Sequence, residues 1–303
     1  MLATQQSIKA YVNTEDSSFF VNKWCLDFDG TDGHVDLGTT TGSLAVTSST
    51  GFTISAWVNF AENGGSSEYI FSNNSSSNYS GLLVYKGNDG EIKLLWGDNT
   101  GTGSGDRETM QGAVQLNPNT WYHVVITTDF SLTTTNTKIY INAIPDTVSN
   151  TGTAGITTPV YTSGTAYIGR WGSTYAQAKF DEIAIWNTEL DNNAVIDIYN
   201  SGSPFDLKRN KGYYDEYTDN LIGYWRFEEG TDTNTADESG YNHHGVLTGM
   251  AASDWVGTVV EPFSNRFALQ LDGTDDRVDI GDQSVFEFNY NSAFTVSGWV
   301  YLT

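Results

Sequence analysis

The chain has 303 residues, of which 38% are hydrophobic, and this is enough to build packed cores of ordinary size. Its 14 Lys and Arg residues against 37 Asp and Glu residues give a formal net charge of −23. This charge repels phosphate backbones and anionic lipid headgroups, so we expect no nucleic acid partner and no membrane insertion. Cys25 is the single cysteine of the sequence, which excludes an intrachain disulfide.

Alternation of apolar and polar residues predicts many short strands. Within residues 52–58 every second residue is apolar, which places one face of a strand on a core. One short helix is predicted from about residue 189 to 200, with Thr188 as its N-cap. Many short strands with Gly-rich turns are typical of a sandwich or jelly roll. Further strands are predicted at 81–86, 92–97, 121–129, 137–141, 165–169 and 180–186.

An internal repeat divides the chain. Residues 26–38 read LDFDGTDGHVDLG and residues 269–281 read LQLDGTDDRVDIG, with eight matching positions. The match continues as GFTISAWVNF at 51–60 and AFTVSGWVYL at 293–302. The sequence therefore predicts one unit and the opening of a second.

Several sequence blocks, in their order along the chain, resemble the laminin-G-like branch of the concanavalin A-like lectin and glucanase superfamily. They are LDFDGTDGHVDLG, FTISAWV, WYHVVIT, KIYINA, YIGRWG and FDEIAIWNTELDNNAVIDIYNSG. Residues 220–249, with a WRF strand and a D-x-S-G-x-x-x-H-G turn, resemble the opening of such a domain. The resemblance implies an all-β fold, an antiparallel two-sheet jelly-roll sandwich with one short helix after the last strand of the first unit.

The repeat and the resemblance together predict four segments. They are an N-terminal arm or atypical first strand (1–23), a laminin-G-like jelly roll (24–202), a linker (203–220) and the N-terminal part of a second, incomplete jelly roll (221–303). Three explanations of the incomplete unit stay open: the chain is part of a longer protein, another subunit completes the half-domain, or residues 221–260 complete the first sandwich as a permuted edge. Because a half-sandwich exposes apolar faces and strand edges, we expect a homo-oligomer or a larger assembly.

The sequence lacks the catalytic carboxylates of the glucanases that it resembles. Those enzymes carry E-x-D-x-E or E-x-D-x-x-E on one strand, because alternate strand residues face the same cleft. The E-x-D from Glu189 to Asp191 has no following Glu at either required place. It lies at a predicted helix start, where acidic residues favour the helix dipole. We therefore predict no catalytic residues and no enzymatic activity.

The resemblance also implies a calcium ion. In many relatives the D-x-S-G turn and the Asp that begins the D-E-x-x-x-W strand lie close together and share this ion. The matching residues here are Asp237, Ser239 and Asn242 in the second unit and Asp181 in the first. A shared site therefore requires residues 221–249 to fold back on the first unit. The alternative for Asp181 is an exposed carboxylate beside strand-edge amides.

Sugar binding requires aromatic platforms beside amide and carboxylate groups in loops. A Trp in the YIGRWG block suits the capping of the sandwich core as well as it suits stacking on a sugar ring. The candidate glycan-binding residues are Tyr79, Trp96, Asp98, Asn99, Arg170, Trp171 and Tyr175.

These features predict a non-catalytic surface recognition or adhesion protein. The surface chemistry is typical of extracellular proteins, yet residues 1–7 lack the basic start and apolar run of a secretory signal. A virion protein released by lysis reconciles the two observations. We therefore expect a phage tail fibre, receptor-binding or capsid-decoration protein at the virion surface, whose partners are virion or cell-surface proteins and host glycans. The alternatives are a cement protein that binds only protein, a secreted bacterial adhesin at the cell surface, and a carbohydrate-binding module of a polysaccharide hydrolase.

Overall fold

The computed structural model describes residues 20–257, apart from short gaps at 40–43, 45–50, 63–64, 102, 132, 134–135, 153 and 162–163. The chain divides into two compact units, residues 1–263 and residues 264–303. The second unit lies outside the described residues. So do most of the predicted N-terminal arm and the second copy of the repeat.

The described part of the chain contains nineteen short strands and one α-helix, α1 (Asn192–Tyr199). Three 3-10 helices cover Ser104–Asp106, Gly212–Asn220 and Ala252–Asp254. None of these helices has the length and apolar character that a membrane span requires. The strands are β1 (Trp24–Asp29), β2 (His34–Thr39), β3 (Phe52–Phe60), β4 (Glu68–Ser72), β5 (Gly81–Lys86), β6 (Glu91–Gly97), β7 (Arg107–Gln115), β8 (Tyr122–Thr128), β9 (Lys138–Ile141), β10 (Ile144–Pro145), β11 (Ser149–Asn150), β12 (Thr165–Ile168), β13 (Arg170–Trp171), β14 (Thr174–Tyr175), β15 (Gln177–Trp186), β16 (Leu221–Trp225), β17 (Asn234–Thr235), β18 (Gly245–Thr248) and β19 (Trp255–Gly257).

The strands form two antiparallel sheets and a separate hairpin. The first sheet has the order β10-β9-β8-β3-β15-β1-β19, and β16 also pairs with β15. The second sheet has the order β11-β7-β6-β5-β4-β12-β2-β18-β17, and β13 pairs with β14 in the hairpin. This architecture confirms the predicted all-β, antiparallel two-sheet sandwich with one short helix after the last strand of the first unit.

The main core lies between the two sheets, and strand β3 shows how the sequence builds it. Its alternate apolar residues, from Phe52 to Phe60, all belong to this core, as the period-2 pattern predicts. The opposite face of β3 is also buried, because α1 packs against the first sheet from outside. Trp57 on that face stacks on Tyr199 of the helix, with ring centroids 5.9 Å apart. Both faces of the first sheet are therefore covered at this strand.

The helix begins later than the sequence predicts. Its N-cap is Asp191, whose Oδ1 accepts a hydrogen bond from the amide of Ala194 at 2.7 Å. Thr188, the predicted cap, instead accepts a hydrogen bond at its backbone oxygen from the hydroxyl of Thr53 at 2.7 Å. The acidic residue at position 191 thus caps the helix, which is the structural role expected of an Asp at this place.

The structure differs from the predicted boundary at residue 221. Strand β16 pairs with β15, so that Trp225 lies opposite Ile183. Strand β18 pairs with β2, and β19 pairs with β1. The sequence before β1 has no WRF-type opening, and these pairings add β16, β18 and β19 to the two sheets of the sandwich. Of the three explanations left open by the sequence, the permuted edge is the one that the pairing of residues 221–257 matches.

Residues 203–220 pack against the first sheet and do not form the predicted linker. Tyr214 is fully buried and donates its hydroxyl hydrogen bond to the backbone oxygen of Leu207 at 2.7 Å. The indole nitrogen of Trp186 lies 3.2 Å from the same hydroxyl. Apolar side chains from this segment, from α1 and from β15 form one cluster. Most residues of this segment are polar, so its sequence did not predict that Tyr214 and Leu207 are buried.

Candidate functional site

A cleft of about 400 Å³ lies where the hairpin β13–β14 packs against β4 and the loop that follows β4. Amide and hydroxyl side chains dominate its walls, and one tryptophan and one arginine complete them. The volume of this cleft lies in the usual range for small-ligand pockets, whereas its lining is more polar than that of most such pockets. The lining residues are Asn73, Asn74, Ser75, Ser76, Asn78, Gly164, Thr165, Tyr167, Arg170, Trp171 and Gly172.

Two asparagines shape the loop after β4. The side-chain amide of Asn73 donates to the backbone oxygen of Leu44 at 2.8 Å, and its Oδ1 accepts from the amide of Leu82 at 2.8 Å. The Nδ2 of Asn74 donates to the backbone oxygen of Gly81 at 3.1 Å. The Oδ1 of Asn74 is buried and accepts no hydrogen bond from the described residues. Backbone groups outside the loop, at Leu44, Gly81 and Leu82, thus hold the two asparagine side chains in place.

Contacts with β4 and with Phe28 position the hairpin β13–β14. The hydroxyl of Ser72 in β4 donates to the backbone oxygen of Arg170 at 2.6 Å. Gly169, just before the hairpin, has φ +81°, and a Cβ there would lie 2.5 Å from the ring of Phe28. Only glycine fits this turn, which brings Arg170 and Trp171 to the cleft.

Trp171 forms an aromatic wall of the cleft. Its ring stacks on Tyr79 at a centroid distance of 6.0 Å and lies 5.4 Å from Tyr69. These tyrosines belong to a small apolar cluster that is separate from the main core. The guanidinium of Arg107 lies 4.6 Å from the ring centre of Tyr79. Trp171 is half-buried, so it is held by neighbours while it remains open to the cleft.

The structure brings some of the predicted glycan-binding residues together and separates others. Arg170 and Trp171 line the cleft, Tyr79 supports Trp171 from behind, and Tyr175 lies opposite Arg170 in the hairpin. Trp96 is wrong as a sugar platform, because it is fully buried in the main core and its indole donates to a backbone oxygen.

Asp98 and Asn99 shape the loop after β6 and do not line the cleft. Oδ1 of Asp98 accepts from the amide of Thr100 at 3.0 Å. Oδ1 of Asn99 accepts a hydrogen bond from Asn78, which does line the cleft. The Asn and Ser side chains of the loop after β4 line the cleft but are not among the predicted residues. The run SNNSSSN was the signal, since a polar run of this length offers more hydrogen-bonding groups than a turn needs.

A second candidate site is a cluster of three carboxylates beside a bulge in β15. One carboxylate oxygen from each of Asp181, Glu182 and Glu228 lies within 4.8 Å of the others. The pairing register of β15 with β3 shifts between Asp181 and Ala184, and Glu182 has φ +48°. Because of this bulge, two consecutive carboxylates lie beside Glu228, which follows β16.

Glu182 and Asp181 have different hydrogen-bond partners. Glu182 accepts from the hydroxyl of Tyr224 and from Nε of Arg226 at 3.2 Å. Burial raises the pKa of Glu182, and the charge of Arg226 opposes that rise. Asp181 is fully buried and accepts from Nδ2 of Asn22 at 3.1 Å.

Glu228 is the third carboxylate of the cluster and lies beside Asp181. It accepts from the backbone amides of Lys23 and Trp24, and burial raises its pKa. Asp181 and Glu182 are buried and Glu228 is half-buried, and the described residues place one guanidinium against this cluster. The donor set fits a hard cation with oxygen ligands, held by Asp181 and Glu228, while Arg226 holds Glu182.

The D-x-S-G turn does fold back on the first unit, but its aspartate has another role. Oδ1 of Asp237 accepts from the amides of Tyr224 and Ser239 at 2.9 Å each, and Oδ2 accepts from the amide of His243 at 2.8 Å. Asn242 adopts a left-handed conformation with φ +63° in the same turn. The carboxylate of this segment that lies beside Asp181 is Glu228, and Asp237 is not a member of that cluster.

Comparison with known proteins agrees with this architecture. Residues 29–196 match a family model described as the concanavalin A-like lectin/glucanases superfamily, in its laminin-G-like branch. The match spans more than half of the chain, and the chain belongs to this family. A comparison with curated proteins found no match.

The chain is also similar to several solved structures. A putative carbohydrate binding protein from Bacteroides ovatus is 16% identical, with a TM-score of 0.50; the match covers 75% of this chain and 58% of that one. The SAP-like pentraxin of Limulus polyphemus is 17% identical, with a TM-score of 0.41, over 60% of this chain and 84% of that one. Trypanosoma rangeli sialidase is 16% identical, with a TM-score of 0.35, over 50% of this chain and 22% of that one. At 16% identity, the likeness to the Bacteroides ovatus protein is one of fold.

Proposed function

We propose that the protein binds glycans without catalysis, and that the cleft beside β4 is the binding site. The observation that carries this proposal is the combination of a half-buried tryptophan wall with a lining of side-chain amides and hydroxyls. Aromatic rings pack against the apolar face of a sugar, and amides and hydroxyls bond its hydroxyl groups. The lectin-like fold, which the protein shares with a putative carbohydrate binding protein, supports the same function.

The absence of catalysis in this proposal is supported by the roles of the carboxylates in the described residues. Asp191 caps α1, and Glu182 pairs with Arg226. No Asp or Glu is among the residues that line the described cleft, whereas glycoside hydrolysis requires a carboxylate pair across the bond.

Replacing Trp171 by alanine should weaken glycan binding at least about tenfold, because the aromatic wall is lost. A glycan array on the full chain identifies the ligand, and calorimetry measures the affinity of the variant. Tyr241→Ala removes an aromatic side chain that is 47% exposed and does not line the cleft, so it should bind as the parent does. A Trp171→Ala protein that melts normally and binds with unchanged affinity would exclude this cleft. A reducing-sugar assay on the same glycans should show no release.

We further propose that calcium binds at Asp181 and Glu228. If the unfolded chain does not bind calcium, the ion should add about 2.7 kcal/mol to the free energy of unfolding at a hundredfold excess over Kd. Chelation should therefore lower the melting temperature of the parent protein. Glu228→Gln should abolish this calcium-dependent shift. Asp237→Asn should keep the calcium-dependent shift but melt at a lower temperature with and without calcium. The reason is that Asp237 organises the turn by accepting hydrogen bonds from backbone amides. Equal melting of the parent with calcium and with chelator would refute the proposal.

The virion surface remains our proposal for where this recognition takes place, with extracellular and cell-surface locations as the alternatives. A composition rich in glycine and aromatic residues, with 31 Gly, 17 Tyr and 9 Trp, supports a surface protein of this kind. Assembly into a larger particle also remains our proposal, and the sequence repeat supports it. Mass spectrometry of purified particles and of the cell-free medium decides between the locations. If the protein is absent from purified particles, the virion location is rejected.

A further inference from the structure

The cleft carries a positive charge in a strongly acidic protein. The formal net charge of the chain is −23, yet Arg170 is the one side chain with a formal charge among the described residues that line the cleft. A cation in such a protein has many carboxylates available for pairing. An arginine that remains without one is therefore informative about the ligand.

Arg170 is held by neutral groups. Its Nε donates to the backbone oxygen of Gly172 at 2.9 Å, and its Nη1 lies 3.1 Å from Nε2 of His34. The guanidinium carbon lies 4.7 Å from the ring centre of Tyr167 and 5.5 Å from that of Tyr175. These contacts fix the plane of the guanidinium, and within the described residues none of them is an ion pair with a carboxylate.

His34 acts on Arg170 as a neutral acceptor. Its Nδ1 lies 2.8 Å from the backbone oxygen of Asp32, an acceptor that requires the proton on Nδ1. Nε2 then carries the lone pair that accepts the hydrogen bond from Arg170. Burial lowers the pKa of His34, and the charge of Arg170 lowers it further, whereas Asp32 and Asp36 oppose this.

No carboxylate of the described residues forms an ion pair with Arg170. By contrast, Arg226 pairs with Glu182 at 3.2 Å and Lys179 pairs with Asp27 at 2.7 Å. The two N–H groups on Nη2 of Arg170 likewise donate no hydrogen bond within the part of the chain that the structure describes. A guanidinium presents parallel N–H groups that match a carboxylate, and Arg170 offers such unused donors at the cleft.

We propose that the glycan recognised in this cleft carries a carboxylate on an acidic sugar, and that Arg170 binds that carboxylate while Trp171 packs against a neighbouring ring. This inference rests on the proposed glycan-binding function. The net charge narrows the ligand further. A densely charged polysaccharide is repelled by a chain of charge −23, so the acidic sugar is one that stands isolated among neutral sugars.

The first test uses the unmodified full chain. Calorimetry compares two acidic probes, a glucuronic acid-substituted xylo-oligosaccharide and sialyllactose, with their neutral counterparts, the unsubstituted xylo-oligosaccharide and lactose. The methyl ester of each acid serves as a matched neutral ligand of the same shape. At least one acid should bind about tenfold or more tightly than its ester, and the pair that does so identifies the source of the carboxylate.

The second test assigns the role to Arg170. Arg170→Gln should bind the acid and the ester with equal affinity, and Arg170→Lys should recover part of the preference, because it restores the charge without the planar fork. Arg209→Gln is the control, since this exposed arginine pairs with Asp206 at 3.5 Å and does not line the cleft. It should keep the full preference.

The outcomes separate this inference from the proposed function. If neutral glycans and esters bind the unmodified chain as tightly as acids do, the cleft is a glycan site and the acidic ligand is wrong. If acids are preferred and folded Arg170→Gln retains that preference, Arg170 is not the anchor. If a glycan array and both probe pairs show no binding, the proposed function itself fails. Should Arg170→Gln not fold, the comparison of acid and ester on the unmodified chain still decides.

Discussion

Replacing Trp225 by alanine should lower the free energy of unfolding by about 3–5 kcal/mol, the usual cost of removing a fully buried large aromatic side chain. Trp225 is fully buried in the main core, and its indole nitrogen donates to the backbone oxygen of His243 at 2.8 Å. A Cβ at Gly223 would lie 2.6 Å from the ring, so the neighbouring backbone packs closely against it. The surroundings cannot collapse easily into the cavity that alanine would leave.

The same variant tests whether residues 221–257 belong to the first sandwich. Chemical denaturation of the full chain should show one transition that moves to lower denaturant in Trp225→Ala. Tyr241→Ala, in the same segment but 47% exposed, should change the free energy of unfolding by less than about 0.5 kcal/mol. If Trp225→Ala leaves the main transition in place and affects only a separate, minor one, the segment belongs to another unit and the predicted boundary at residue 221 is restored.

Local patterns predicted β3, β5, β6, β8, β9, β12 and β15, because alternation along a strand marks its core face, but they did not predict β4 and β7. The alternation at 52–58 appears in the structure as the core face of β3. The same pattern did not predict that the other face of β3 is buried, because the residues beside Trp57 on that face come from distant segments, with Tyr199 from α1 and Phe205 from 203–220. Burial that depends on distant parts of the chain leaves no signal in the strand itself.

Pairing between distant segments explains the misplaced boundary and the missed site residues. Residues 220–249 resemble a domain opening whether they pair with the first sandwich or begin a second one. The sequence alone therefore could not show which strand edge they cover. Glu228 reaches Asp181 because β16 pairs with β15, and no spacing along the chain records that pairing. Trp96 failed for a related reason. It stands beside Asp98 and Asn99, which mark a loop, but the indole itself points into the main core.

Acidification should destabilise the sandwich through His123. This residue is 3% exposed, and its ring lies 5.0 Å from Trp57 and 5.8 Å from Tyr199. Burial lowers the pKa of His123 from its ordinary value of 6.5 to about 3. Below pH 6.5 the unfolded chain therefore binds a proton that the folded chain does not bind, and protons favour unfolding. The stabilising contribution is fully present above pH 6.5 and is lost as the pH falls towards 3.

The expected loss from His123 is about 1.4 kcal/mol per pH unit between roughly pH 6 and pH 4, or about 3 kcal/mol at pH 4 relative to pH 8. Denaturation of the full chain across this range measures it. Carboxylates and other histidines add their own pH dependence, so the comparison is with His123→Phe, which keeps an aromatic ring against Trp57 and cannot titrate. Nδ1 of His123 has no hydrogen bond within the described residues, so the replacement removes little at neutral pH. His123→Phe should lose stability less steeply in acid, and parallel curves for the two proteins would show that His123 is not the group that titrates.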